Sequence, residues 1–128
     1  MKTLAQIVIP HADLVVATLP GIEHRTLADA AHGLKTLSVW RQTMAPGAAT
    51  PPHRHDTEEV VLCHSGWGEL HVDGAVHRFG PDSSVLVPRD RPHQIFNVGH
   101  EPMELTAIFA TATLVVIGAD NEVLQLPW

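Results

Sequence analysis

The sequence predicts an all-β fold. Of its 128 residues, 45% are hydrophobic, ten are prolines and nine are glycines. Its periodic apolar runs are short and end at Pro/Gly turns, a pattern that is typical of many strands joined by tight turns and not of a helical bundle. A chain of this length fits one domain, residues 1–128, with a core that needs no disulfide.

Charge and segment composition exclude several classes of partner. The formal net charge is -6 with only eight Lys and Arg residues, so we expect no nucleic acid partner. The first residues resemble a secretory signal, but Pro10, His11 and Asp13 interrupt the apolar run, and no stretch approaches the roughly 20 apolar residues that span a bilayer. The single cysteine, Cys63, cannot form an internal disulfide. We therefore expect a soluble, cytoplasmic protein.

The first third of the chain predicts edge strands, loops and one regular strand. In residues 1–33, short apolar pieces are separated by Pro10 and by Pro20-Gly21. Residues 26–32 (TLADAAH) have a helix-like composition but end at Gly33, so a strand followed by a turn is equally compatible. Residues 34–44 alternate between two faces, with Trp40 and Gln42 on one, and predict a strand that ends at Pro46-Gly47.

The rest of the chain predicts a meander of about ten strands in all. The strand of residues 53–62 is followed by a hairpin over 69–79, because Asp73-Gly74 is a preferred two-residue turn. This register pairs Glu69 with Arg78, a plausible exposed ion pair. Further strands are expected at residues 85–87, 93–98 and 104–110, and a last hairpin at 113–117 and 122–126.

Three residues in the stretch GAATPPHRHDTEEVVLCHSG point to a metal site. His53, His55 and Glu59 have the same parity, so on one extended strand their side chains would share a face. Glu58 has the opposite parity and should point outward. His93 begins the later segment HQIFN, and the meander would bring it across the barrel towards the first two histidines.

Three imidazoles and one carboxylate suit a borderline divalent ion such as Fe, Mn, Co, Ni, Cu or Zn, with positions left open for water or substrate. The proposed metal ligands are thus His53, His55, Glu59 and His93. Glu59 is also the candidate catalytic residue, because a carboxylate beside the ion could move protons.

These residues resemble the two motifs of the cupin superfamily. In the first motif every spacing fits; its positions are Gly47, His53, His55, Glu59 and Gly66. In the second motif Pro88, His93 and Asn97 fit. Seven residues separate Gly80 from Pro88 where five are usual, and Asp90 stands where glycine is usual. The resemblance implies a double-stranded β-helix, or jelly-roll, barrel with motifs at 47–66 and 80–97. It also implies metal binding by the same four residues and a homodimer, to which the apolar segments 14–19 and 114–117 could contribute.

Other side chains have ordinary structural interpretations. The remaining histidines are expected to be satisfied or exposed polar groups: His11, His24, His32, His64, His71, His77 and His100. Cys63 could face the pocket, but a buried structural thiol is commoner. Trp40, Gln42, Phe96 and Phe109 either line a cavity or pack. Asn97 is expected to fix a turn through its amide, and residues 89–91 to form a solvated loop at the barrel mouth.

The cupin resemblance leaves the function open between three classes, since cupins include enzymes and binding proteins. The first is a metal-dependent enzyme acting on a small organic molecule, with quercetinase-like dioxygenation as the best-represented version. The second is a binding module that captures a small ligand without turnover. The third is a metal-dependent sugar-acid isomerase or lyase, which would favour several polar or cationic pocket residues, whereas the candidates for the pocket are mostly apolar apart from Gln42 and Arg41.

Overall fold

The computed structural model describes residues 6–128, and within them the chain forms eleven strands and two single 3₁₀ turns. The 3₁₀ turns are His11–Asp13 and Ala30–His32. The strands, in chain order, are β1 Ala17–Leu19, β2 Ile22–Ala28, β3 Ser38–Met44, β4 His53–Arg54, β5 Glu59–Ser65, β6 Gly68–Val72, β7 Ala75–Phe79, β8 Ser83–Val87, β9 His93–Asn97, β10 Met103–Phe109 and β11 Ile117–Gly118.

The strands form two antiparallel sheets. The larger sheet has the order β1-β2-β3-β10-β5-β8, and the smaller has the order β11-β4-β9-β6-β7. Alternate residues of the long strands are buried, as β10 shows, where every second residue from Met103 to Phe109 is buried. These inward side chains form one core cluster that draws on both sheets, including Val61 and Leu105 from the larger and Leu70 and Ile95 from the smaller. The predicted all-β, jelly-roll fold is confirmed.

The hairpin of β6 and β7 forms in the predicted register. Val72 pairs with Ala75 and Glu69 with Arg78, and both turn residues have positive φ, 53° at Asp73 and 73° at Gly74, as a tight hairpin turn requires. The predicted Glu69 to Arg78 ion pair is wrong, however. Glu69 instead lies 3.0 Å from Nε2 of His71 on its own strand face, and the Arg78 guanidinium lies over the Trp67 ring.

The expected strand over residues 53–62 is two strands in different sheets. β4 ends at Arg54 in the smaller sheet and β5 begins at Glu59 in the larger one. Residues 55–58 cross between them, and the crossing is held where the Asp90 N–H donates to the His55 carbonyl at 2.8 Å. His53 and Glu59 therefore do not share the face of one strand, and they approach each other from opposite walls of the barrel.

The first part of the described chain follows the strand-and-turn alternative, and the last part is less regular than expected. β2 runs to Ala28, and the 3₁₀ turn that follows is capped by Asp29 and closed by Gly33, so residues 26–32 contain both a strand end and a turn. The last hairpin is reduced to β11 and a bridge between Ile117 and Val123. In residues 6–128 no helix has the length and apolar character needed to cross a bilayer.

Candidate metal centre and cavity

Three histidines meet where the smaller sheet lines the barrel. His53 on β4 is the register partner of His93, the first residue of β9, and His55 follows directly after β4. The nearest ring nitrogens of the three side chains all lie within 4.8 Å of one another. His55 and His93 are buried, and His53 is partly buried. The three imidazoles are thus placed to hold one metal ion.

Glu59 reaches this group from the larger sheet. Its Oε1 atom lies 3.5 Å from Nε2 of His93 and 3.7 Å from Nε2 of His55. These separations are longer than hydrogen bonds to a carboxylate usually are. The side chain is only 7% exposed, whereas Glu58 is exposed, as the sequence predicts. The carboxylate therefore faces the two buried imidazoles without bonding to either.

Backbone carbonyls fix the tautomer of all three histidines. Because a carbonyl oxygen can only accept a hydrogen bond, each Nδ1 must carry the hydrogen and each Nε2 must present its lone pair. Metal-ligating histidines are oriented in this way by their second nitrogen. The accepting carbonyls belong to Pro51 for His53 at 2.6 Å, Val115 for His55 at 3.0 Å and Arg91 for His93 at 2.9 Å.

Three polar atoms at the centre are buried without a hydrogen-bond partner: Nε2 of His55, Nε2 of His93 and Oε1 of Glu59. Leaving such an atom unpaired costs roughly 1–3 kcal/mol. All three are lone-pair donors that point towards each other, so a cation would satisfy them together and a shared proton would satisfy only two. The donor set fits a divalent transition metal.

Burial keeps the imidazoles of His53 and His55 neutral. It lowers the pKa of His53 to about 4, and electrostatic repulsion from the adjacent His93 acts in the same direction. Burial likewise lowers the pKa of His55. Since only neutral imidazole can ligate a metal, both residues are in the ligating form at neutral pH.

The centre opens onto a largely apolar cavity of about 50 Å³. Its wall is formed by aliphatic side chains from both sheets together with two indoles, Trp40 and Trp128. Apart from the centre itself, Gln42 and Thr50 contribute side-chain oxygen or amide groups. A cavity of this size is smaller than the roughly 150 Å³ that encloses a benzene molecule, so a ring-sized ligand needs part of the wall to move.

A family model described as a cupin domain matches residues 40–109, more than half of the chain. The chain belongs to the cupin family. The matched segment contains both histidine motifs and the strands that carry them, from β3 to β10.

Relatives of this cupin include plant auxin-binding proteins. Auxin-binding protein 1 of Arabidopsis thaliana is 35% identical over 101 residues, which is 71% of this chain and 51% of the relative. Auxin-binding protein T85 of Nicotiana tabacum is 32% identical over 113 residues, which is 79% of this chain and 60% of the relative. The chain therefore spans about half to three-fifths of the length of these relatives.

Solved structures confirm the barrel fold. The polyketide cyclase RemF from Streptomyces resistomycificus superposes with a TM-score of 0.76 at 18% identity, over 95% of this chain and 89% of the other. Oxalate decarboxylase from Bacillus subtilis superposes with a TM-score of 0.77 at 23% identity, over 86% of this chain and 31% of the other. At these identities the likeness concerns the fold alone.

The cupin barrel uses the other predicted residues in different ways. Trp40 and Gln42 line the cavity, which is one of the two alternatives that the sequence left open for them. Phe109 is buried against Trp40 and His55, with ring centroids 4.8 and 5.0 Å away. Phe96 lies outside the cavity and packs on His71.

Two further expectations concern polar and thiol groups. The Asn97 amide donates to the carbonyls of Met44 and Glu101 and accepts from the Gly99 N–H, so it fixes a turn as predicted. Cys63 is absent from the cavity lining, and burial raises the pKa of its thiol. It is a structural thiol.

Arginines do not reach the cavity. Arg41, considered above as a pocket residue, pairs with Glu104 at 3.3 Å and is absent from the cavity lining. In the loop of residues 89–91, Asp90 lies 3.2 Å from Arg54 and Arg91 pairs with Asp73, so the loop is tied to its surroundings by ion pairs.

The sequence did not predict the places of His24 and Trp128 beside the cavity. His24 is a satisfied polar group, as predicted, and it is 1% exposed and bonded to Gln42. Trp128 stacks on His24 and lines the cavity. The alternation of β2 places His24 on the same face as buried Ile22, which was an available signal; the contact with Trp128 joins distant residues and has no local signal.

Proposed function

We propose that this cupin binds one divalent transition metal ion through His53, His55, Glu59 and His93, and that the ion and the adjoining cavity together hold a small organic molecule. The observation that carries the proposal is the set of three buried lone-pair atoms without hydrogen-bond partners, on His55, His93 and Glu59. When bound, an ion of the Fe, Mn, Co, Ni, Cu or Zn type would supply a Lewis acid at this point.

The cavity lining indicates the chemistry of the ligand. Within residues 6–128 no lysine or arginine contributes to it, and most of its surface comes from aliphatic and indole groups. A fitting ligand has an oxygen donor for the ion, such as a carboxylate, and a flat apolar body that packs against Trp40 and Trp128. The names of the auxin-binding relatives support this class of ligand.

The proposal is tested by ligand titration with and without metal. We expect indole-3-acetic acid to bind the Zn²⁺-loaded protein at least about tenfold more tightly than the metal-free protein, because the carboxylate needs the ion. Indole-3-ethanol, which has the same ring and no carboxylate, is the matched control and should show no such dependence. Equal affinity for the acid in both forms of the protein, measured by calorimetry, would contradict the proposal.

A second candidate function is turnover, with quercetinase-like dioxygenation as the version to test. The favouring observation is Glu59, whose Oε1 is buried and unpaired beside the cavity and could accept a proton from a bound substrate. A redox-active ion would supply the electron exchange with O₂. Oxygen uptake by the Fe-loaded protein on flavonols or diketones, lost in Glu59→Gln with metal retained, would support it; absence of uptake leaves binding as the function.

A sugar-acid isomerase or lyase is the least favoured alternative. Such a substrate carries many hydroxyl groups, and beyond the metal centre the side-chain hydrogen-bonding groups of the lining are Gln42, Thr50 and the indole N–H groups. Arg41 is held outside by Glu104.

We also propose a homodimer. Val15 and Val16 are 84% and 45% exposed next to the short edge strand β1, an apolar surface that a second copy could cover. Light scattering after gel filtration should give twice the mass of one chain. Val15→Asp/Val16→Asp should shift the mass towards that of one chain, and an unchanged dimer in this variant would place the contact elsewhere.

A further inference from the structure

His24 is a histidine enclosed in the wall between the cavity and the outer strands. It is 1% exposed. The Trp128 ring stacks on one face of it, with centroids 3.8 Å apart and planes 9° apart, and the Trp40 ring meets it edge to face at 4.8 Å. Both indoles line the cavity, whereas His24 does not. A polar ring in this position is stable only when its nitrogens are hydrogen-bonded.

Both nitrogens of His24 are bonded, and the tautomer of the ring is coupled to the orientation of the Gln42 amide. Gln42 Nε2 lies 3.0 Å from Nδ1, and an amide nitrogen can only donate, so Nδ1 accepts. Nε2 must then carry the hydrogen and donate to Thr26 Oγ1 at 2.8 Å. Burial lowers the pKa of His24 to about 4, which agrees with a neutral ring whose lone pair is occupied by a donor.

This bond in turn fixes the carboxamide of Gln42. His24 and Gln42 are register partners on β2 and β3, so the amide is held by a neighbouring strand. The opposite amide orientation would require the other tautomer of His24, with Nδ1 donating to Oε1 and Nε2 accepting from the Thr26 hydroxyl. In the part of the chain that the structure describes, no hydrogen bond uses Gln42 Oε1, and Gln42 lines the cavity. The carboxamide therefore has bonding capacity left for a ligand.

Within residues 6–128, Thr50 is the other hydroxyl or amide side chain of the lining. Its Oγ1 accepts from the Ile95 N–H at 2.9 Å, which leaves its O–H able to donate. Gln42 differs in that its carboxamide presents either a donor or an acceptor to a ligand, and the bond to His24 decides which.

We infer that His24 is a positioning residue, which acts through Gln42 and Trp128 to set the hydrogen-bonding direction and the aromatic wall of the cavity. The inference rests on the proposed ligand-binding function and narrows its ligand class. The ligand combines a metal-binding oxygen, a flat apolar body and a polar group within reach of the Gln42 carboxamide.

The first test needs no metal and no ligand. In long-range ¹H–¹⁵N spectra of the metal-free protein at pH 7, His24 should show the neutral tautomer with the hydrogen on Nε2. The Gln42 side-chain amide should exchange slowly with solvent. In His24→Phe, which keeps a ring for Trp128 to stack on, this protection should be lost. A hydrogen on Nδ1, a protonated ring, or unchanged Gln42 exchange in His24→Phe would overturn the inference.

The second test measures binding of indole-3-acetic acid to the Zn²⁺-loaded protein. We expect His24→Phe to keep full Zn²⁺ content and to bind the acid about five- to tenfold more weakly, as loss of one oriented hydrogen bond predicts. His24→Asn, whose side-chain oxygen can still accept from Gln42, should recover part of the loss. His24→Phe/Gln42→Leu should bind no more weakly than Gln42→Leu alone.

The outcomes separate this inference from the proposed function. Additive losses in the double variant, or loss of Zn²⁺ in His24→Phe, would mean that His24 acts only on the structure, and would overturn the inference. If the unaltered protein fails to bind Zn²⁺, the proposed function fails, and the tautomer and the Gln42 exchange still decide whether His24 orients the carboxamide. His77→Phe, at an exposed position on β7, is the matched control and should change neither measurement.

Discussion

At the scale of single residues, the centre is assembled at the expense of stability. Two imidazole nitrogens and one carboxylate oxygen are buried without hydrogen-bond partners on His55, His93 and Glu59. Each unpaired group costs roughly 1–3 kcal/mol. An ion that binds the folded chain and not the unfolded one offsets this cost by mass action. The metal-free protein should therefore melt at a lower temperature than the metal-loaded protein.

The lowered histidine pKa values predict how stability depends on pH. His24 and His53 have pKa values of about 4 in the folded chain against 6.5 for the ordinary group. Between these values the unfolded chain binds protons that the folded chain does not, so the free energy of unfolding should fall as the pH drops from about 6.5 to 4. Each pKa unit corresponds to about 1.4 kcal/mol, which makes roughly 3.5 kcal/mol per histidine an upper limit.

Urea unfolding of the metal-free protein across this pH window measures the effect. His24→Phe should flatten the pH dependence, because the substituted side chain does not titrate. His77→Ala, which removes an exposed histidine, should leave the slope unchanged. A free energy of unfolding that stays constant or rises as the pH falls from 6.5 to 4 would show that the buried histidines are not held neutral.

At the scale of strands and turns, Gly66 and Gly74 test which turns need glycine. Both have positive φ, 90° and 73°. A Cβ on Gly66 would lie 2.8 Å from the Met103 Cα, whereas nothing lies within 4 Å of one on Gly74. Gly74→Ala should therefore cost about 1 kcal/mol from backbone strain alone, and Gly66→Ala a further 1–3 kcal/mol or so from overlap with β10.

Denaturant unfolding of the two alanine variants gives this comparison directly. The metal content of Gly74→Ala should equal that of the unaltered chain, since the hairpin lies away from the centre. Equal destabilisation by the two substitutions would mean that the contact between Gly66 and β10 carries no energy.

Local signals predicted the elements that local chemistry determines. The Asp73-Gly74 turn fixed a hairpin in the correct register because a two-residue loop leaves one pairing. The single strand predicted over residues 53–62 is wrong because the crossing at 55–58 contains no proline or glycine to mark it. The spacing still identified the residues that meet, although the reason given, a shared strand face, is not how His53 and Glu59 come together.

At the scale of the whole molecule, the centre exists because the two sheets face each other. The smaller sheet supplies His53 and His93, the crossing segment supplies His55, and the larger sheet supplies Glu59 and the buried His24 to Gln42 pair. Contacts of this kind join residues far apart in the sequence, such as His24 and Trp128. The sequence motif predicts the metal ligands. It does not predict the cavity wall, because the residues that form the wall belong to no common motif.

Elemental analysis of the purified protein beside three alanine variants tests the metal centre itself. The unaltered protein should contain about one transition metal ion per chain, and His53→Ala and His93→Ala should each lose at least about tenfold in metal affinity. His71→Ala, which removes a histidine bonded to Glu69 on the outer face, should keep its metal. Equal metal content in all three variants, or none in the unaltered protein, would contradict the proposed centre.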